Sequence, residues 1–405
     1  MCRNNNIMKY FVAMIFVIIL LVGFIRNNSF AILQQLSEYL GQPTDEIDAE
    51  RIDAIDVEFG NNFFMKRQLV DLNGFVVKKL GMQGLYSDIG VYVTDDNYIV
   101  SPSQKTTTDY EYSETVGLKD FLEANGINFL YVNEPTKYID DKFFSDEFGI
   151  ETYSNRNMDL FLSRIREEEV KVIDLRDNIK AEKLNVRDLF YRTDHHWTVS
   201  AGLWATKIIA QELNDEFGYN IDMSLYNEEK FEKTVWESCW LGEQGRKVSD
   251  IYVGLDDYVR IQPMYATSYT FENGDGTTYK GTFDDFIDNS IYDVNNDVYQ
   301  NGSWHYSYNI KKGVNNNVGE GKILILGDSF EHVIQPFLSL GVHKVDFLCL
   351  RDYDNELKLR NYIIENDYDT VIVAYASLWL GRMMMEILRI IECFHLNNLV
   401  FKMSL

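Results

Sequence analysis

The chain has 405 residues, with 63 Asp and Glu against 38 Lys and Arg, a net charge of −25, 14% aromatic residues and only 5 prolines. That is the composition of a globular chain, and it excludes a disordered tail or a collagen-like rod. Four cysteines, Cys2, Cys239, Cys349 and Cys393, form no CxxC pair, so neither a disulfide scaffold nor a cysteine-based zinc site is expected.

From Tyr10 to Ile25 the sequence is apolar and uncharged, and Ile7 and Met8 extend the stretch past Lys9. This length suits a single membrane pass. Arg3, Lys9 and the amino terminus precede it and only Arg26 follows, a bias that places the N-terminus in the cytoplasm and the rest outside. A cleaved leader is the rival reading, but RNNSFAIL offers no small-x-small site after Ile25, which favours an uncleaved anchor. Residues 1–26 hold no acidic side chain, so the acidic excess lies entirely in the outer part. A field of that sign opposes phosphate backbones, and no nucleic-acid partner is expected.

Beyond the anchor, residues 27–58, polar and acidic over Gln34 to Ala54, read as a stalk, and residues 59–405 as one catalytic domain. Val91 to Ser101 predicts a hairpin around Asp-Asp-Asn. Ser113 can cap a helix carrying Leu118, Phe121 and Leu122, ended by Gly126 and followed by the strand INFLYV. A second unit pairs Met158, Phe161, Leu162 and Ile165 at helical spacing with the strand VKVIDL. After YRTDHHWT a helix is expected from about Thr198 to Phe217. Residues 265–319, rich in Asn, Asp, Tyr and Gly, read as an insertion of loops with some strand. KILIL, closing on Gly327-Asp328-Ser329, precedes a helix with Val333, Ile334, Phe337 and Leu338, and the strands KVDFLCL and TVIVAYA follow. Met383 to Leu405, with Arg382, Glu386 and Arg389 on one stripe, suits a helix covering the sheet. Unbroken apolar strands alternating with helices predict an α/β fold, a mostly parallel sheet with helices on both faces.

Ser329 stands where an apolar strand ends and a helix starts, a position that exposes a hydroxyl at the carboxyl end of the sheet with the following backbone N–H groups facing a developing oxyanion. Gly-Asp-Ser alone is more often an ordinary turn than a catalytic one, because Asp and Ser readily hydrogen-bond nearby backbone. A nucleophilic serine needs a base, and the chain has six histidines. In an extended YRTDHHWT, Asp194 and His196 share one face and His195 the other, so Asp194 can orient His196 while His195 is a packed residue. His332 is a rival base, with only Asp328 or Glu331 to orient it. Adjacent histidines rarely reach one ion, and no HExxH or Cys/His spacing completes a ligand set, so no metal is expected.

Together these two motifs resemble the DHHW family and the alginate O-acetylation proteins of the SGNH-hydrolase-like superfamily. The likeness lies in VIDLRDNIKAEKLNVRDLFYRTDHHWTVSAG and KILILGDSFEHVIQPFLSL, with smaller echoes in NEPTK, ending at Lys137, and in Arg351. It spans roughly Phe59 to Leu380. The resemblance implies Ser329 as nucleophile, His196 as base and Asp194 as its orienter, with His195, Trp197 and Asp328 lining the site. No Asn-bearing oxyanion loop is evident; Tyr375 of VAYAS and Gly242 of WLGEQG stand as substitutes, and Lys137 and Arg351 as substrate contacts.

The resemblance further implies acyl transfer, usually of acetyl groups, to hydroxyls of a cell-surface polysaccharide, with a membrane-bound O-acyltransferase as acyl-donor partner; together with the anchor the chain reads as a membrane-anchored, extracytoplasmic O-acetyltransferase, whose mechanism needs no cofactor. A carbohydrate acetyl-esterase with the same triad, or a non-catalytic scaffold binding glycan or a partner, are the alternatives.

Overall fold

The computed structural model describes residues 66–82, 90–273, 275–287, 312–349, 359–377 and 380, together with Met14, Val17, Ile18, Leu21 and Val22. The stalk, most of the expected membrane segment, residues 288–311, Arg351 and the expected helix after Met383 lie outside the described residues. Among the described residues no helix is long and apolar enough to cross a membrane.

The chain divides into two compact units, Met1–Gly81 and Met82–Leu405. In the first, Met14, Val17, Ile18, Leu21 and Val22 are helical and exposed, and helix α1 spans Lys66–Leu80.

The second unit begins with a short antiparallel hairpin, β1 (Tyr92–Val93) and β2 (Ile99–Val100), where the sequence predicts one. There follow α2 (Asp109–Ala124), β3 (Asn128–Glu134), α3 (Lys142–Phe148), α4 (Ser154–Glu167), β4 (Lys171–Asp174), α5 (Leu175–Glu182) and α6 (Val199–Phe217). Then come β5 (Phe231–Trp240), α7 (Glu243–Val248), α8 (Asp250–Val253), β6 (Asp256–Pro263), β7 (Tyr269–Glu272), β8 (Thr278–Gly281) and β9 (Lys312–Asn315). The chain closes on β10 (Lys322–Gly327), α9 (Glu331–Leu338), β11 (Lys344–Cys349), α10 (Leu359–Glu365) and β12 (Thr370–Ala376).

Eight strands form one sheet in the order β4-β3-β12-β10-β11-β9-β7-β8. The first five run parallel and the last three are joined antiparallel. The sheet is therefore mixed, because the described parts of the Asn/Tyr-rich insertion extend it as strands. Strand alternation explains the unbroken apolar runs: Ile323 and Ile325 of β10 join one buried cluster and Leu324 and Leu326 the other, one on each face.

Two elements depart from the sequence reading. Helix α2 starts at Asp109 rather than at Ser113, whose hydroxyl instead donates to the Tyr110 carbonyl inside the helix. The antiparallel pair β5–β6 was not anticipated, because most of β5 is exposed on both sides and carries no alternating apolar signal.

Helix α6 starts where expected: the Thr198 hydroxyl accepts the Ala201 N–H at 3.2 Å, and Gly218 ends it with φ of 70°. It packs against α9 at a close approach that only glycine allows, since a Cβ on Gly202 would stand 2.4 Å from Val333 Cγ2. Gly202→Ala is expected to cost about 1–3 kcal/mol by overpacking. Adding Val333→Ala should make the pair less destabilised than the sum of the single changes, measured by denaturant unfolding.

Candidate active site

Ser329 sits in the turn between β10 and α9, at the carboxyl end of the parallel strands. Asp328 shapes that turn. Its Oδ1 accepts the Phe330 N–H and its Oδ2 the Ala376 N–H at the end of β12, both at 2.9 Å. The Phe330 N–H is thus engaged, contrary to the expectation that it faces an oxyanion; in this turn the Ser329 N–H is the one with no acceptor among the described residues.

The segment facing the serine is a closed loop. Phe190 and Trp197 form an antiparallel bridge, the Tyr191 N–H donates to the His196 carbonyl, and the Thr198 N–H donates to the Leu189 carbonyl. Residues 192–196 are consequently a run of bends, not the extended strand expected. Trp197 does not line the site: its ring is fully buried against Phe330, and its Nε1–H donates to the Phe330 carbonyl at 3.2 Å. One side chain therefore ties the histidine loop to the residue after Ser329.

Within this frame the three expected side chains meet. His196 Nε2 lies 2.6 Å from Ser329 Oγ, and His196 Nδ1 lies 2.6 Å from Asp194 Oδ1. An ionised carboxylate only accepts, so the Asp194 contact assigns the proton to Nδ1 and leaves the Nε2 lone pair toward the serine hydroxyl. Asp194 Oδ1 also accepts the His196 N–H at 3.1 Å, and its Oδ2 accepts the Glu243 N–H at 2.7 Å.

Burial alone would raise the Asp194 carboxyl, but the charge of His196 and its hydrogen bond, with His195 and the Glu243 N–H, hold it below the ordinary carboxylate range. Burial, with His195 beside it, pushes the His196 imidazole down to about 3 against the pull of Asp194. At neutral pH the pair is carboxylate and neutral imidazole, the protonation state that accepts a proton from a hydroxyl.

Other expected site residues lie elsewhere or act differently. Because the loop bends, His195 does not face away: its Nδ1 is 3.5 Å from Asp194 Oδ1 and its ring centroid 3.8 Å from that of His196. The ligand atoms of Asp194, His195 and His196 fall within 4.8 Å of one another, although the sequence reading set the histidines apart. Both ring nitrogens of His196 are nonetheless engaged, by Asp194 and Ser329, in the hydrogen-bond chain.

Gly242 is not an oxyanion donor, because its N–H donates to Thr193 Oγ1 at 2.8 Å. It is needed for closeness: a Cβ there would stand 2.4 Å from Asp194 Cβ and 2.7 Å from the Thr193 carbonyl oxygen. Lys137 is buried and donates to the carbonyls of Ile99 (2.7 Å) and Arg192 (3.0 Å), pinning the β1–β2 hairpin to the histidine loop. Burial pushes its ammonium down to about 7. The Tyr375 hydroxyl has no partner among the described residues, and the side chain packs on the opposite sheet face from Trp197 and α6. His332 stands edge-on to Phe347.

Sequence reasoning missed two supports of the loop. Asp256 accepts the N–H of Arg192 (2.9 Å), the N–H of Thr193 (2.8 Å) and the Thr193 hydroxyl (2.6 Å). Glu243 and Gly245 supply backbone donors to Asp194 and to the Thr193 carbonyl. No local motif announces them; the close approach at Gly242 is the only trace, and it reads as a turn glycine until the fold is known.

Residues 93–238 match the family model of the SGNH hydrolase-like domain of the acetyltransferase AlgX. That stretch is similar to an SGNH hydrolase-like domain. The match includes the histidine loop and ends before Ser329. Among solved structures the chain is similar to Bacillus cereus PatB1, at 21% identity and a TM-score of 0.58, over 72% of this chain and 96% of that one. It is also similar to a DHHW family protein from Eubacterium siraeum, at 15% identity and a TM-score of 0.52, over 72% of this chain and 91% of that one. These likenesses extend the shared fold beyond the stretch matched by the family model. No curated protein sequence matches the chain.

The clash at Gly242 yields a direct test of the loop. Gly242→Ala should push Asp194 off His196, abolishing the downfield Nδ1–H proton resonance of His196. Reaction with a serine-directed phosphonate should slow by about 10²-fold, as an ångström-scale misplacement does.

Proposed function

We propose that the chain is an acyltransferase that moves acetyl groups onto hydroxyls of a cell-surface polysaccharide through a covalent Ser329 intermediate. The observation that carries this reading is the buried chain Asp194–His196–Ser329, with both links at 2.6 Å. The match to the SGNH hydrolase-like domain of an acetyltransferase supports the reaction class.

In this mechanism Ser329 Oγ attacks the acyl carbonyl as His196 Nε2 takes its proton. Asp194 stabilises the imidazolium, and the free Ser329 N–H is the backbone donor for the oxyanion. The leaving group takes the proton from His196, a sugar hydroxyl gives its proton to the same nitrogen as it attacks the acyl-enzyme, and Ser329 is regenerated. The donor is an acyl group handed over by a membrane-bound O-acyltransferase, and no cofactor enters.

The exposed helical residues Met14, Val17, Ile18, Leu21 and Val22 support a membrane anchor in the apolar segment, because an apolar stripe left facing outward is stable against lipid and not against water. Residues 27–58 then form the stalk and the α/β unit stands on the extracytoplasmic side. In washed membranes from cells making the full chain, alkaline carbonate should leave it in the pellet; release into the supernatant would sink the anchor.

The activity is tested with the purified full chain and a chromogenic acetyl ester, with and without a carbohydrate acceptor. Ser329→Ala and His196→Ala should each lower turnover by about 10³-fold or more. Acetylated sugar among the products identifies a transferase, and acetate alone an esterase. Equal turnover in all three proteins would refute the triad. Because burial holds His196 neutral down to about 3, the acid limb of the rate profile should lie well below the ordinary histidine range. Stability follows the same sign: it is present above the unfolded histidine value and is lost as pH falls toward the folded one.

A further inference from the structure

A second buried acidic feature lies beside Ser329 and has no part in the mechanism above. On the sheet face covered by α6 and α9, β3 presents Leu130, Val132 and Glu134, β12 presents Ile372, Ala374 and Ala376, and β10 presents Ile323, Ile325 and Gly327. Registers set Ala376 opposite Glu134 and Gly327 opposite Ala374. Small side chains at these strand ends leave a pocket over β12. Glu331, from the first turn of α9, fills it from one side: a Cβ on Gly327 would meet Glu331 Cγ at 2.5 Å. Glu134 fills it from the other.

Both glutamates are completely buried, and among the described residues none of their four carboxyl oxygens has a hydrogen-bond donor. The two side chains reach over the end of β12 from the strands on either side of it, and each bears on the protonation of the other. Carboxylates only accept, so two facing each other are satisfied only when one keeps its proton and donates it to the other.

Among the described residues the surroundings supply no competing cation. Asp328, on the serine turn, faces both groups and adds to the repulsion. Arg176, at the head of α5 beside β3, is bonded to Asp174 and Asp159. Lys137 is bonded to backbone carbonyls. The buried residues of α6 include no ionisable group, His332 of α9 stands against Phe347, and Tyr131 and Tyr375 project from β3 and β12 to the other face.

We propose that Glu134 and Glu331 share one proton and thereby clamp the Ser329 turn to β3 across β12, making them positioning residues that set the alkaline limit of Ser329 reactivity. The clamp rests on the reading of Ser329 as nucleophile. Loss of the shared proton leaves two adjacent charges in a dry pocket, and the turn carrying Ser329 is what gives way. Burial, opposed by the hydrogen bond to Glu134, raises the Glu331 carboxyl to about 8, and burial and Glu331 together raise Glu134 well above the ordinary carboxylate value. An acid whose folded value is raised contributes stability that is full below the unfolded value and is lost as pH rises through the folded one.

The test uses the full chain as wild type, Ser329→Ala, Glu331→Gln and Glu134→Gln, following phosphonate labelling and thermal unfolding at about pH 6 and about pH 9. Labelling of the wild type should fall by about tenfold, following the protonated fraction one pH unit above the folded value. Its Tm should fall by about 5 °C over the same interval. In either Gln variant the labelling ratio should stay within about twofold and most of the Tm change should vanish. If one variant fails to fold, the other and the double variant, whose amides can pair with each other, carry the comparison. Gln variants that keep the wild-type pH dependence in both readouts overturn the clamp. A wild type that labels no better than Ser329→Ala at either pH overturns the nucleophile reading instead, and the Tm comparison still decides whether the pair shares a proton.

Discussion

The site depends on one buried carboxylate. Asp194 receives His196 on one oxygen and the Glu243 N–H on the other, so its charge, costly to bury alone, is matched on both sides. That arrangement requires the chain from β5 to α7 to approach the histidine loop so closely that residue 242 has no room for a Cβ. It also requires the loop to be closed, which the Phe190–Trp197 bridge and the three contacts to Asp256 accomplish. A neutral His196 aimed at Ser329 is the result of these constraints acting together.

The serine side obeys a different constraint. Its turn is fixed by Asp328, which reaches the next residue of the turn and the end of β12, and by the indole of Trp197, which reaches the carbonyl after Ser329. The parallel strands end in small or acidic residues at this edge, with Gly327, Ala374, Ala376 and Glu134 replacing the aliphatic side chains used further down the same strands. The substitution opens space under α9, and two carboxyl groups occupy it. Charge at this end of the sheet is therefore ordered by burial: Asp194 has donors and stays ionised, while Glu134 and Glu331 have no donor among the described residues.

Much of this was legible in the chain. The strands KILIL, TVIVAYA and INFLYV announced a sheet buried on both faces, and Asp194, His196 and Ser329 could be singled out from motif context alone. Other parts were misread for physical reasons. An extended DHH segment would have turned His195 away, but backbone hydrogen bonds from Tyr191 and Thr198 bend the loop and bring both imidazoles to Asp194. Trp197 looked like a site wall because it follows the histidines, yet its ring is core and its N–H is a strut. Gly242 and Lys137 resembled donors for substrate, and both donate within the protein. Asp256 could not be found at all, since its partners lie some sixty residues away and nothing in its neighbourhood marks it.

By itself the sequence determined the elements, because strand and helix periodicity and the turn chemistry of Gly, Asp and Ser act over a few residues and are written locally. It also determined the inventory of groups able to do chemistry. Tertiary structure alone decided which of those groups meet and in what protonation state. Hydrogen-bond partners of Asp194 come from segments about fifty residues apart, Ser329 is 133 residues from His196, and the two buried glutamates come from the end of β3 and the first turn of α9, on either side of β12. Burial, which shifts His196 down and Glu331 up, is a property of the assembled core and of no segment of the chain.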